Sequence, residues 1–335
     1  MAHPPVTIPI ALVHGMLSGV RAHGRNCDVF LADAGMAPEL LDQPGARVTA
    51  AQYIALFRSL IERLDDECIG FLSRPMKRGC FALTARAALG ASDLETAIRR
   101  IAHTFRLVQD DAVLELVREG NLAGVALCFL DPAVPRPRFA HEMLLRVYWR
   151  LLAWLAGRRL PVVRFDFAFE CPPHVGSYDN IFPAPLRFGQ AWSAVWFDDA
   201  CLKDPVRRDE ATLRAFLAEG QANVILPPRG KGPTVARVRQ YFLHTQPAWP
   251  DLAATAAALH MSVSTLQRHL AVEGTSFQAL KDELRRDIAI VRLNTSTVPL
   301  AAVAQELGFT DSAAFQRAFK CWTGSPPGAY RRGGS

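Results

Sequence analysis

Leu252–Val272 reads LAATAAALHMSVSTLQRHLAV, and Leu300–Lys320 reads LAAVAQELGFTDSAAFQRAFK. Each stretch opens with an alanine-rich run whose small side chains let a short helix pack closely. Each then turns, at His260-Met261 in the first and at Gly308-Phe309 in the second, where Gly308 tolerates positive φ. A polar residue, Ser262 or Asp311, stands ready to cap a second helix by accepting its orphan amides. In the helix Val263–Val272, Leu266 and Leu270 lie at i, i+4 toward the core, and Ser264, Thr265, Gln267 and Arg268 are left outward. In its counterpart Phe315 and Phe319 take the core while Ser312, Ala313, Gln316 and Arg317 face out. The two caps are 49 positions apart (311 − 262 = 49). Helix, tight turn and helix, with short polar hydrogen-bonders outward, is the helix-turn-helix pattern, here written twice. An amphipathic stretch from Phe277 to about Asn294, with Leu280, Leu284, Ile288 and Val291, predicts a long helix holding the two motifs rigidly apart. Two recognition helices on one body can enter successive major grooves on one DNA face, ~34 Å apart.

The charge lies where the motifs lie. Among 335 residues, positions 1 to 219 hold 25 Lys/Arg against 25 Asp/Glu, and positions 220 to 335 hold 13 against 7. The whole excess of +6 therefore sits in the C-terminal third, which suits a polyanion partner and equally a merely soluble surface; with the two motifs, double-stranded DNA is the partner expected. Pro227-Pro228-Arg229-Gly230-Lys231-Gly232-Pro233 is polar and cannot continue a helix, so it reads as a linker. The expected domains are 1–226, the linker 227–233, and 234–335.

Half the residues are hydrophobic, which is ample for cores and excludes collagen, coiled coil and wholesale disorder. No apolar run reaches the ~18–20 residues of a membrane span, since Leu144–Leu155 is broken by Arg146 and Arg150. The apolar stretch Ile8–Val20 has no basic residue before it, unlike a secretory signal, so a soluble cytoplasmic protein with no membrane partner is expected. Seven cysteines without C-x-x-C spacing predict buried reduced thiols rather than disulfides or zinc.

The first part alternates helix and strand patterns. Tyr53, Ile54, Phe57, Leu60, Ile61 and Leu64 make a helical stripe, and Ser92-Asp93-Leu94-Glu95 reads as a capping box opening a helix to about Val108. Val113–Glu119 and Leu122–Leu130 read as strands joined at Gly120-Asn121. A helix from Phe139 to Leu155, an alternating strand through Val163, Phe165, Phe167 and Phe169, a strand Trp192–Phe197 and a helix Glu210–Leu226 complete an α+β domain with a small sheet. It contains no nucleophile elbow, phosphate loop, dinucleotide fingerprint or H-E-x-x-H, and its histidines lack ligand spacing. No enzyme, cofactor or metal site is expected. Arg74, Lys77, Arg78 and Arg86, next to Phe81, form a candidate site for an anionic effector. The same segment also reads as a solvated basic loop pairing with Asp65, Asp66 and Glu67.

Ala304, Leu307, Gly308, Phe309, Asp311, Phe315, Arg317, Phe319, Lys320, Gly324, Ser325, Pro326, Tyr330 and Arg331 together resemble the signature of AraC/XylS transcriptional activators. The resemblance implies a two-motif domain binding DNA as one unit across two major grooves. Carried over by position, it implies base reading by Ser264, Gln267, Arg268, Ser312, Gln316 and Arg317, with Ala313 offering only a methyl group. Lys320 and Arg331 are expected on phosphates. Residues 8 to about 217 are similar to the arabinose-binding-type N-terminal domain of the AraC subfamily that includes ornithine and related metabolite regulators, without implying arabinose as effector. The softer features carrying this are residues 34–41, Ala46-Arg47-Val48, Arg187-Phe188-Gly189 and Val195-Trp196-Phe197.

The expected architecture is an α+β sensor and dimerisation domain followed by an all-helical tandem helix-turn-helix domain. The expected function is a transcription factor, an activator, that answers a small-molecule effector, meets RNA polymerase and forms a homodimer. The rival is an enzyme whose C-terminal domain tethers it to DNA or a partner.

Overall fold

In chain order the elements are β1 (Thr7–Pro9), α1 (Ile10–Ala22), α2 (Asp28–Asp33), β2 (Arg47–Thr49), α3 (Ala50–Leu64), α4 (Cys80–Ala87), α5 (Leu94–Val108), β3 (Ala112–Glu119), β4 (Leu122–Phe129), α6 (Arg138–Leu155), β5 (Val162–Asp166), β6 (Leu186–Arg187), β7 (Ser193–Asp198) and α7 (Glu210–Ile225). There follow α8 (Pro233–Thr245), α9 (Leu252–Ala258), α10 (Val263–Val272), α11 (Phe277–Thr295), α12 (Leu300–Glu306) and α13 (Ser312–Thr323). This computed structural model describes residues 7–131, 136–157, 160–173, 175–225 and 233–331. The expected linker lies outside them except for Pro233, which opens α8, a helix that the sequence reading did not anticipate. The fold class is the expected one: an α/β part with small sheets and a helical C-terminal part. Among the described residues, no helix is long and apolar enough to cross a membrane.

The chain divides into two units that differ from the expected boundaries. One gathers Met1–Val13, Leu31–Tyr53 and Arg229–Ser335; the other gathers His14–Phe30 and Ile54–Pro228. The reason lies in the first strands. β1 and β2 pair antiparallel, Ile8 opposite Val48, and their polar groups are spent on the helical region. The Thr7 hydroxyl donates to Asp287 Oδ1 of α11 at 2.6 Å, and Arg47 N donates to the Tyr330 hydroxyl at 3.1 Å. Gln52 Nε2 reaches Asn294 Oδ1 at 2.9 Å. The split after Pro228 falls inside the expected linker, whereas the grouping of the N-terminal segments with the C-terminal unit has no local sequence signal, because the residues that pair are distant in the chain.

In the second unit a five-stranded sheet runs in the order β3-β4-β7-β5-β6. All neighbours are antiparallel except β5 and β6. The two-residue Gly120-Asn121 turn closes the β3–β4 hairpin, with Gly120 at φ +59°. Gly124 faces Trp196 across β4 and β7, and a Cβ there would lie 2.9 Å from the indole ring. That close approach lets Trp196 donate to Asp166 at 2.6 Å and carry the Arg164 guanidinium 4.4 Å above its ring. Of the stripe read from the sequence, helix α3 buries Tyr53, Phe57, Leu60 and Ile61 and leaves Ile54 and Leu64 half-buried. The capping box shifts by one: Asp93, not Ser92, caps α5 by accepting from Thr96 N at 2.8 Å, and Glu95 pairs with Arg99 and Arg118 instead. The cysteines are all free, but Cys171 and Cys321 are exposed, contrary to the expectation of uniformly buried thiols.

Candidate nucleic-acid interface

Each half of the tandem motif is set by side-chain caps and one apolar seam. Asp251 caps α9 through Ala254 N at 2.8 Å, and Ser262 caps α10 through Thr265 N at 3.1 Å. Asp311 caps α13 through Ala314 N at 2.7 Å. Leu266 and Leu270 of α10 are fully buried with Val235, Val238 and Phe242 of α8 and Leu280 and Leu284 of α11. Phe315 and Phe319 of α13 are likewise buried, Phe319 edge-on to Tyr330. The turns differ in chemistry. His260 takes a left-handed φ of +57°, and Gly308 one of +70°.

Gly308 is needed for a second reason. A Cβ there would lie 2.7 Å from Trp249 Cδ1. Trp249, on the segment leading to α9, donates to Glu306 O at the end of α12 at 3.0 Å. The Arg285 guanidinium of α11 lies over both Trp249 (4.9 Å) and Phe309 (5.1 Å). Lys281 donates to the carbonyls of Trp249 and Pro250, both at 3.0 Å, and Arg292 pairs with Glu306. The two motifs are thus fastened through α11 and through Trp249, a second brace that the sequence reading missed. Its signal was an aromatic in a Pro-flanked stretch with no helical period.

The expected recognition residues divide in three. Ser264, Gln267 and Arg268 on α10, and Ala313, Gln316, Arg317 and Lys320 on α13, are exposed. Thr265 and Ser312 are half-buried. The Thr265 hydroxyl lies 2.8 Å from Ser262 Oγ, while Ser312 accepts from Gln316 Nε2 at 3.2 Å. Arg331 is half-buried, and its Nη2 donates to Val298 O.

The effector candidates scatter. Arg74 pairs with Asp110 at 3.2 Å, Arg78 with Asp65 at 3.2 Å and Arg86 with Glu210 at 2.8 Å, all on exposed side chains, and Lys77 is exposed. Of the acidic run beside them only Asp65 pairs with a loop cation, and the other two carboxylates hold the loop through its backbone. Asp66 accepts from the amides of Cys68, Gly70 and Met76, and Glu67 from those of Gly79 and Phe81. Of the five candidates, Arg78 and Phe81 line a cavity of about 300 Å³ with Phe57, Ile61, Met76, Met143, Glu67 and Tyr148. Glu67 and Tyr148 carried no motif. Tyr148 was legible only as an aromatic on a buried helix.

Comparison with known families supplies what geometry leaves open. The family model described as "Arabinose-binding domain of AraC transcription regulator, N-term" matches residues 24–206. The chain belongs to the AraC family of transcription regulators. A second model, a helix-turn-helix domain, matches residues 255–333. The chain is 29% identical over 327 residues to the ornithine utilization regulator of Pseudomonas aeruginosa, covering 97% of this chain and 96% of that one. It is 36% identical over 98 residues to a transcriptional activator of Rhodococcus, 29% of each chain. A crystal structure of the regulator CdpR from Pseudomonas aeruginosa aligns with 98% of this chain and 99% of that one, at 20% identity and a TM-score of 0.34. This AraC-family regulator therefore pairs a DNA-binding helix-turn-helix domain with a ligand-type N-terminal domain, and its family and relatives are regulators, not enzymes.

Proposed function

We propose that this regulator grips operator DNA with α10 and α13 in successive major grooves and activates transcription when a small metabolite occupies its N-terminal domain. One observation carries the reading: two capped helices with exposed Gln/Arg pairs, Gln267-Arg268 and Gln316-Arg317, stand on one body braced by Trp249 against α12. Base edges are read by Ser264, Gln267, Arg268, Gln316 and Arg317, with Thr265 and Ser312 supporting them and Ala313 available to a thymine methyl. Lys320 meets a phosphate. Functionally the sensor spans 1–226 and the DNA-binding domain 234–335, with β1 and β2 lent to the latter's packing. The effector enters beside Arg78 and Phe81. In the cytoplasm the protein works as a homodimer and contacts RNA polymerase at the promoter, a direction supported by the activator named among its relatives.

The test is selection from random duplexes with the full chain. Two conserved elements about one helical turn apart are expected, ~34 Å centre to centre. A single short element, or no enrichment, overturns the two-groove reading.

A further inference from the structure

The cavity of the second unit has a polarity opposite to the one its basic neighbours suggest. Its volume of about 300 Å³ is at the small end for ligand sites, and its walls are mostly apolar: Phe57 and Ile61 of α3, Met76, Phe81 of α4, Met143 of α6. Two polar groups in it lack a full set of partners. Tyr148 is only 2% exposed, and no protein donor reaches its hydroxyl oxygen among the described residues. The neighbouring Thr84 hydroxyl donates to Cys80 O at 2.9 Å and keeps its oxygen to accept from the Tyr148 hydroxyl, so the lone pairs of the Tyr148 oxygen are what remain unused. A buried phenol oxygen that accepts from no protein donor keeps its lone pairs for a donor on a ligand in the cavity.

Glu67 is the second group. Its carboxylate accepts from Gly79 N at 2.8 Å and Phe81 N at 2.7 Å, which leaves a lone pair on each oxygen. No side-chain cation pairs with Glu67 among the described residues. Burial pushes its acid above the usual range, and Asp66 and Asp65 add to this against the two amides. Arg78, which also lines the cavity, is engaged by Asp65 at 3.2 Å. An anion entering here meets a desolvated carboxylate. An ammonium gains that carboxylate as a charge-assisted acceptor, the Tyr148 oxygen as a second acceptor, and the rings of Phe81 and Tyr148, whose centroids are 6.3 Å apart.

We infer that this cavity binds a small organic ammonium with an apolar aryl or branched alkyl body, its nitrogen donating to Glu67 and Tyr148. The inference rests on the effector-responsive reading above and replaces the anionic effector expected from Arg74, Lys77, Arg78 and Arg86.

Titration of the full chain with phenethylamine, phenethyl alcohol and hydrocinnamate, which share one body, separates charge from fit. Phenethylamine binds, the alcohol binds about tenfold more weakly, and the carboxylate is weakest. Glu67→Gln removes the preference for amine over alcohol. Because that change also alters the start of α4, Tyr148→Phe serves beside it: the ring stays, and amine affinity falls several-fold. Preference for hydrocinnamate, equal binding of all three, no binding by any, or unchanged amine affinity in Tyr148→Phe overturns the inference. Operator selection on the unliganded chain is a separate measurement, so failure here leaves the DNA-binding reading standing, and the converse also holds.

Discussion

Arg317 and Lys320 lie one turn apart on the exposed side of α13, and their charges are built for different work. A guanidinium offers a planar fork that fits guanine O6 and N7, whereas an ammonium suits a phosphate as a point charge. Arg317→Ala is therefore expected to cost about 1–3 kcal/mol on the selected operator and little on scrambled duplex. Lys320→Ala weakens both alike and lowers the salt slope by about one unit. Binding measured on both duplexes at two salt concentrations decides, and equal losses for Arg317→Ala make it a phosphate contact instead. A second residue-scale expectation concerns His141 and Glu142 at the start of α6. Burial pushes Glu142 up to about 7, against the hydrogen bond from the Tyr178 hydroxyl, and burial pushes His141 down to about 4. A raised carboxyl makes the native state bind more protons than the unfolded chain, so its contribution to stability falls as pH rises from about 4.5 to 7. Its span is about 3 kcal/mol. A depressed histidine does the opposite, its contribution being lost as pH falls from about 6.5 to 4. The two oppose each other over the shared window. Denaturant melts of the full chain should show weak pH dependence there. Glu142→Gln should uncover loss of stability on acidification, and His141→Gln a gain. Parallel pH profiles for all three proteins would remove these residues from the account.

Within the elements, the caps and seams were legible because they are local. Ser262 and Asp311 each bond an amide three residues on, and Leu266, Leu270, Phe315 and Phe319 repeat at the helical period. The α10 boundaries follow directly from that pattern. The Ser92 assignment erred by one residue because Ser and Asp are both good caps and adjacent, and only backbone geometry at Asp93 settles it. Trp249 was illegible for a different reason: its partner, the Glu306 carbonyl, is a backbone group 57 positions away. Tyr148 and Glu67 share that obstacle, since a cavity is made by segments that no short spacing relates. The Gly308 turn allows a test at this scale. Gly308→Ala forces a Cβ toward Trp249 in a left-handed backbone, a combination of strain and contact expected to cost about 1–3 kcal/mol. The brace between the motifs should loosen with it. We expect weakened binding to the two-element operator with less effect on a duplex carrying only the α10 element. A similar loss on both duplexes would mean that the change merely unfolds the domain.

At the scale of the whole molecule, β1 and β2 are the feature that changes how the DNA-binding part should be handled. Asp287 is buried on α11, bonded by the Thr7 hydroxyl and by the Arg286 guanidinium at 3.0 Å. Arg47 bonds Thr7 in turn through Nε at 2.7 Å, and burial, aided by Arg286, lowers its guanidinium to about 10. Removing the N-terminal segments leaves Asp287, Asn294 and the Tyr330 hydroxyl without these partners and exposes the apolar side of β1 and β2's packing site. A buried polar group stripped of one partner costs about 1–3 kcal/mol. The fragment 229–335 retains both helix-turn-helix motifs, their caps and Trp249, so it should still select a two-element operator. It should unfold at a lower temperature than the same region within the full chain, and Thr7→Val in the full chain should reproduce part of that loss. Amide hydrogen exchange on α11 reads both, because exchange there reports the opening of this helix in either protein. Protection of α11 that is equal in the fragment, in Thr7→Val and in the parent would show that the strand pair only rests against the helix.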